Sequence, residues 1–173
     1  TEGTEAKKLK TFLDVQWKYY MTEYPEWATY VGFPGQDDRW TDASMSAIAR
    51  RRTETVCQRD ALTKITRASL SPRDRVTYDL ALRNVNMYIE GDKFDGDYLP
   101  VTHMEGFHVD STQLLSAMPE TVKGYEDRLK RLEKMATVAE QLTALMREGM
   151  KRKVMPVKAF MCKITEQLTG LGT

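Results

Sequence analysis

The sequence predicts a mainly α protein, a multi-helix array with one loop or extended insertion around residues 92–109. Three observations predict it. Apolar residues recur at spacings of three and four along most of the chain, the period that gathers them on one face of a helix. Helix-start and helix-stop residues fall where those runs begin and end. Only the stretch GDKFDGDYLPVTHMEGFHV loses the period, and it brings glycines and a proline with it. A chain of 173 residues, 41% hydrophobic and 29% charged, suits one helical unit over residues 1–173 with a buried core.

Taken in order, Leu9, Leu13, Trp17, Tyr20 and Tyr24, with Phe12 beside them, predict an amphipathic helix from residue 5 to about 24, ending before Pro25. Residues 25–42, PEWATYVGFPGQDDRWTD, hold two of the three tryptophans among turn-forming glycines and prolines. Trp27, Tyr30, Phe33 and Trp40 each carry a large apolar area that seeks burial, so the segment reads as a packed corner between two helices. A second helix follows the Thr41-Asp42 cap and carries Met45, Ile48, Val56, Leu62 and Ile65, with Arg50, Arg51 and Arg52 turned to solvent.

Ser71-Pro72-Arg73-Asp74 is a helix start: a Ser cap, a Pro whose missing N–H is harmless in the first turn, and an acid at the third helical position. Tyr78, Leu82, Val85 and Ile89 then share one stripe up to Glu90-Gly91. After the insertion, in which Tyr98–His103 reads as an extended segment able to pair with a strand, helices are predicted to Met118, from Pro119 to about Met135, from Ala136 to Lys151, and from Pro156 through Leu168.

Charge and composition exclude several functions. A net charge of +1 offers no global field for nucleic acid, and no apolar run approaches the ~20 residues of a membrane span. The segment LMREGMKRKVMPVKAFMCK mixes basic residues with Met146, Met150, Met155 and Met161. Pro156 divides it, base-stacking aromatics are nearly lacking, and the methionines read as core filler. Cys57 and Cys162 sit inside helical patterns among apolar neighbours and read as two buried thiols, with one disulfide between them as the alternative.

No catalytic set is complete. His103 and His108 flank HMEGFH, but five residues apart on a helix they diverge by roughly 140° and on a strand they face opposite sides. They do not make the i, i+4 pair of a His-Glu-x-x-His zinc site. Asp92, Asp95 and Asp97 miss the ligand register of a calcium loop. No nucleophile elbow, phosphate loop or dinucleotide fingerprint occurs. The chain by itself is therefore not expected to be catalytic or to bind a cofactor.

Five blocks in series, PEWATYVG with DRWTD, LSPRDRVTYDLALRN, YLPVTHMEGFHVD with LLSAMP, GYEDRLKRLEKM and LMREGMKRKVMP, resemble the N-terminal part of domain-of-unknown-function family 885. The resemblance covers roughly Phe12 to Gln167. Members of that family are longer and resemble mostly helical zinc metallopeptidases whose metal motif lies in the C-terminal half. The resemblance implies that this chain is the N-terminal portion of a longer helical metallopeptidase-like fold, trimmed or processed. Its partner would then be the C-terminal remainder or another protein chain, the complete protein would carry zinc, and a peptide would be the substrate. Tyr98, Thr102, His103 and His108 would line the substrate cleft, with no catalytic residue or metal ligand carried over. The alternative reading is a non-enzymatic helical scaffold that acts by binding partners.

Overall fold

The computed structural model describes residues 3–102, 104–116 and 118–170. Its elements are helices α1 (Thr4–Glu23), α2 (Pro25–Tyr30), α3 (Met45–Thr63), α4 (Pro72–Gly91), α5 (Phe107–Ser116), α6 (Val122–Glu133), α7 (Met135–Arg152) and α8 (Lys158–Gly170). Short 3-10 turns occupy Arg67–Ser69, Asp92–Phe94 and Gly96–Tyr98. The helical array is as predicted, and no strand occurs among the described residues. Of the segment expected to be extended, Tyr98 to Thr102 is thus not a strand. Tyr98 closes a 3-10 turn, and the following residues fold on themselves, Thr102 N–H donating to the Glu105 carbonyl at 2.9 Å.

The chain groups into two compact units, one reaching to Tyr20 together with Ser46–Phe94, the other comprising Met21–Met45 together with the chain from Asp95. In the first, Leu9, Leu62, Ile65, Leu70, Tyr78 and Ala81 form an apolar core, with Phe12, Leu13 and Leu82 against it. α4 enters this core as its cap predicts: the Ser71 hydroxyl accepts from Asp74 N–H at 3.2 Å, removing one of the unpaired donors of the first turn. Polar ties join the same elements, Tyr19 OH to Glu54 at 2.5 Å and the Arg67 guanidinium to both oxygens of Asp79 at 2.7 and 2.6 Å. Of the three arginines expected in solvent only Arg50 is exposed; Arg51 and Arg52 are half-buried, and Arg52 reaches Asp92 at 3.4 Å.

In the second unit Met21, Ala28, Trp40, Val138, Leu145 and Ile164 are buried, as are the polar residues His108, Ser111, Asp127 and Arg131. α6 runs into α7 through Lys134, which keeps right-handed helical dihedrals (φ −84°, ψ −7°) and accepts from Val138 N–H at 3.2 Å. Lys134 is thus the turn residue at which α6 ends and α7 begins. α7 ends where Lys153 turns left-handed at φ 61°.

Two further expectations are corrected. Cys57 and Cys162 are exposed free thiols, neither buried nor joined in a disulfide: each falls on an outward position of its helix, although an apolar residue, Val56 or Met161, precedes it. Met150 and Met155 are exposed as well, so the methionines of this segment do not all serve as core filler.

Candidate functional site

The aromatic corner is clamped by α6. Pro25 opens α2, and Gly32 and Gly35, at φ 73° and 82°, reverse the chain in a region open to glycine at no steric cost. Arg131, only 3% exposed, reaches into this reversal from α6. Its Nε donates to the Arg39 carbonyl at 2.9 Å, and its Nη2 to the Gln36 carbonyl at 3.1 Å and to Thr29 Oγ1 at 2.9 Å. The guanidinium lies 5.3 Å from the centre of the Trp40 ring, a cation–π distance. Trp40 Nε1 in turn donates to the Arg131 carbonyl at 2.7 Å. Burial pulls the Arg131 pKa down, and the charges of Glu26, Asp37, Asp38 and Asp127 oppose the pull.

Further bonds tie the corner's two ends. The Glu26 carboxylate accepts from Thr41 N–H at 2.8 Å and Thr41 Oγ1 at 2.5 Å, and Gln141 of α7 bonds Ala43 N–H and Asp42, both at 3.0 Å. The expectation that all four aromatics are buried fails. Trp40 is buried, meeting Phe107 edge-on at 5.0 Å, while Trp27 and Tyr30 are exposed and stack on each other at 5.3 Å. A six-residue helix has room to turn only part of its surface inward, and Pro25 and Ala28 take that part.

The insertion residues find separate anchors. Tyr98 is half-buried, with Arg152 of α7 over its ring at 4.8 Å. The seat requires Gly149, because a Cβ there would stand 3.0 Å from Tyr98 Cβ and 2.8 Å from the Val154 carbonyl. Thr102 is exposed, and its hydroxyl accepts from Met104 and Glu105 N–H at 3.2 and 3.0 Å, holding the turn that leads to α5. His103 lies outside the described residues. His108, 4% exposed, bonds Gln167 of α8 through Nε2 at 3.1 Å, and its buried Nδ1 has no hydrogen-bond partner. Asp110, in the first turn of α5, has its pKa raised by burial and by the charges of Glu26 and Glu105, with His108 opposing.

Among the described residues no three His, Cys, Asp or Glu side chains converge as metal ligands. The described residues thus do not by themselves fit a zinc centre. What this arrangement does is hold a loop in shape. Sequence reasoning missed Arg131 and Glu26, the two residues that organise the corner. One signal was available: a buried Trp needs an acceptor for its indole N–H, and Trp40 finds it on the backbone of α6.

A family model described as "Bacterial protein of unknown function (DUF885)" matches residues 25–173. The chain belongs to the DUF885 family. The matched span begins at Pro25, so the aromatic corner, the insertion and the Arg131 clamp all lie within the DUF885 region. No curated protein matches the chain. No helix among the described residues is long and apolar enough to cross a membrane.

Proposed function

We propose that the chain is the N-terminal helical portion of a zinc-metallopeptidase-like hydrolase. It supplies scaffold and one wall of a peptide cleft formed by Tyr98, Thr102, His103 and His108, and the metal motif stands on other polypeptide, the C-terminal remainder or a second protein chain. The observation that carries this reading is the exposed apolar face that both α4 and α6 present. On α4, Tyr78, Ala81 and Val85 are buried, yet Val76, Leu80 and Met87 on the opposite side are exposed. On α6 the inward residues are Asp127 and Arg131, while Val122, Tyr125, Leu129 and Leu132 face outward. A helix packed on one side and apolar on the other is an inner helix of a larger array. Such helices match the scaffold role, and the folded insertion that ends in His108 matches the wall.

The test uses the complete protein. Zinc content and hydrolysis of a peptide library are measured for the wild type, for His103→Ala and for Thr102→Ala, with His108→Gln added because the buried imidazole is exposed to misfolding on truncation. The reading expects bound zinc, peptide hydrolysis, and a fall in kcat/KM of about tenfold or more at His103 with zinc retained. Unchanged hydrolysis in all three variants removes the cleft-wall role. A complete protein with neither zinc nor hydrolysis leaves the scaffold alternative.

A further inference from the structure

The C-terminal half of α4 carries a groove of about 590 Å³, a volume within the ~300–1,000 Å³ of small-molecule sites. Residues four apart stand above one another on a helix, so Leu82 and Asn86 form one row of the groove and Arg83, Met87 and Gly91 the next. Phe94, at the end of the 3-10 turn that follows α4, closes it. The surface is mostly apolar. Leu82 joins it to the core of the first unit, while Met87 and Phe94 are 60% and 79% exposed. The gap between those two is open at Gly91, where a Cβ would meet nothing within 4 Å outside the local helix backbone. All of these residues belong to the first unit.

The charges around the groove resolve to one free cation. Asp79, a turn before Arg83, gives its two carboxylate oxygens to Arg67 at 2.7 and 2.6 Å, and Glu90 accepts from Lys93 Nζ at 2.8 Å. Arg83 and Asn86 are exposed, and neither has a hydrogen-bond or ion-pair partner among the described residues. A single uncompensated guanidinium suits a monoanion, and its planar fork matches the two oxygens of a carboxylate. The remainder of the ligand must be apolar. An extended peptide would bring an N–H and a C=O at nearly every residue, and beside Arg83 the groove has only the Asn86 amide free to pair them. An alkyl chain brings none. From Arg83 to Gly91 the groove offers it about 12 Å of helix at 1.5 Å per residue.

We propose that this groove binds a long-chain alkyl monocarboxylate, with the carboxylate on Arg83 and Asn86 and the chain laid along Leu82, Met87 and Phe94. Removal of the chain from water supplies the affinity, and Arg83 selects the headgroup by its charge. The candidate cleft residues belong to the second unit, so the proposal goes beyond the hydrolase reading and does not rest on it.

The probes are dansyl-undecanoic acid and its methyl ester, titrated into the complete protein below their aggregation concentrations and followed by dansyl emission. The acid is expected to bind saturably and about tenfold or more tightly than the ester. Arg83→Met should remove that preference and leave ester binding as it was, and Arg83→Lys should keep part of it. Phe94→Ser should weaken both probes about tenfold. Arg83 and Phe94 are exposed, so these variants should keep the circular dichroism of the wild type. The methyl NMR signal of Met87, assigned by its loss in Met87→Leu, should shift as the acid is added. Absence of saturable binding overturns the proposal, as do equal binding of acid and ester, undiminished acid binding by Arg83→Met, and shifts at other methionine methyls with Met87 unmoved. An apolar peptide with a free C-terminal carboxylate that displaces the probe at lower concentration than decanoate assigns the groove to a chain terminus and also overturns it. None of these outcomes depends on hydrolysis, so failure here and failure of the hydrolase reading are separable.

Discussion

The two units are stabilised in opposite ways. The first is organised by an apolar cluster around Leu62, with hydrogen bonds and ion pairs outside it. The second is organised by a buried guanidinium whose donors end on two backbone carbonyls and a threonine hydroxyl. An apolar core rewards volume and tolerates small errors of direction. A buried polar knot tolerates none, because each group left unpaired carries its full desolvation cost. The difference teaches where this fold stores shape: in the second unit a non-helical loop must hold one conformation, and directional bonds do what packing alone does not.

The sharpest way to break that contrast is Arg131→Met. It keeps much of the stem's packing and strands the Arg39 and Gln36 carbonyls, and should cost about 4 kcal/mol in urea unfolding. Arg131→Lys should recover less than half, since an ammonium cannot copy the guanidinium fork. A loss under about 1 kcal/mol for either variant would show that the corner holds itself without the clamp. Next is Leu62→Ala in the apolar unit, where Leu62 is fully buried. It should cost about 3 kcal/mol by lost transfer energy and cavity formation, and Leu62→Met well under half of that. If the conservative change proves as costly as the truncation, the apolar unit is as direction-sensitive as the polar one.

The smallest effect is a pH dependence confined to the second unit. Asp110 has a raised pKa, from burial first and the charge of Glu26 next, so the folded state holds that proton more tightly than the unfolded chain. Stability contributed by the protonated carboxyl is present at low pH and declines as pH rises from the ordinary aspartate value, about 3.9, through the raised folded value. Melting temperatures across that window should show this decline in the wild type and lose it in Asp110→Asn. A decline of equal size in the variant would place its origin in another group.

The helices were legible because local signals and the apolar period agree. Ser71 to Asp74 predicted the start of α4 to the residue, and Pro25 marked the end of α1. Direction was less legible. A stripe such as Val122, Tyr125, Leu129 and Leu132 looks like a core face, yet Arg131 and Asp127 turn inward because the corner's carbonyls need donors. No periodicity encodes a need that arises from a segment about 90 residues away in sequence. The candidate cleft residues were found through resemblance, not through spacing. Thr102 has a local role that its sequence context did not announce, and the segment expected to be extended from Tyr98 instead starts on the last residue of a 3-10 turn.

The exposure of Cys57 and Cys162 has a practical consequence. They are the only two cysteines of the sequence, both are free and reachable, and one falls in each unit. A maleimide dye pair or a pair of nitroxide spin labels can therefore be attached without altering a single residue. The protein carries its own ruler: adding a completing polypeptide, a peptide or a denaturant can be read as a change in the distance distribution between two native labels.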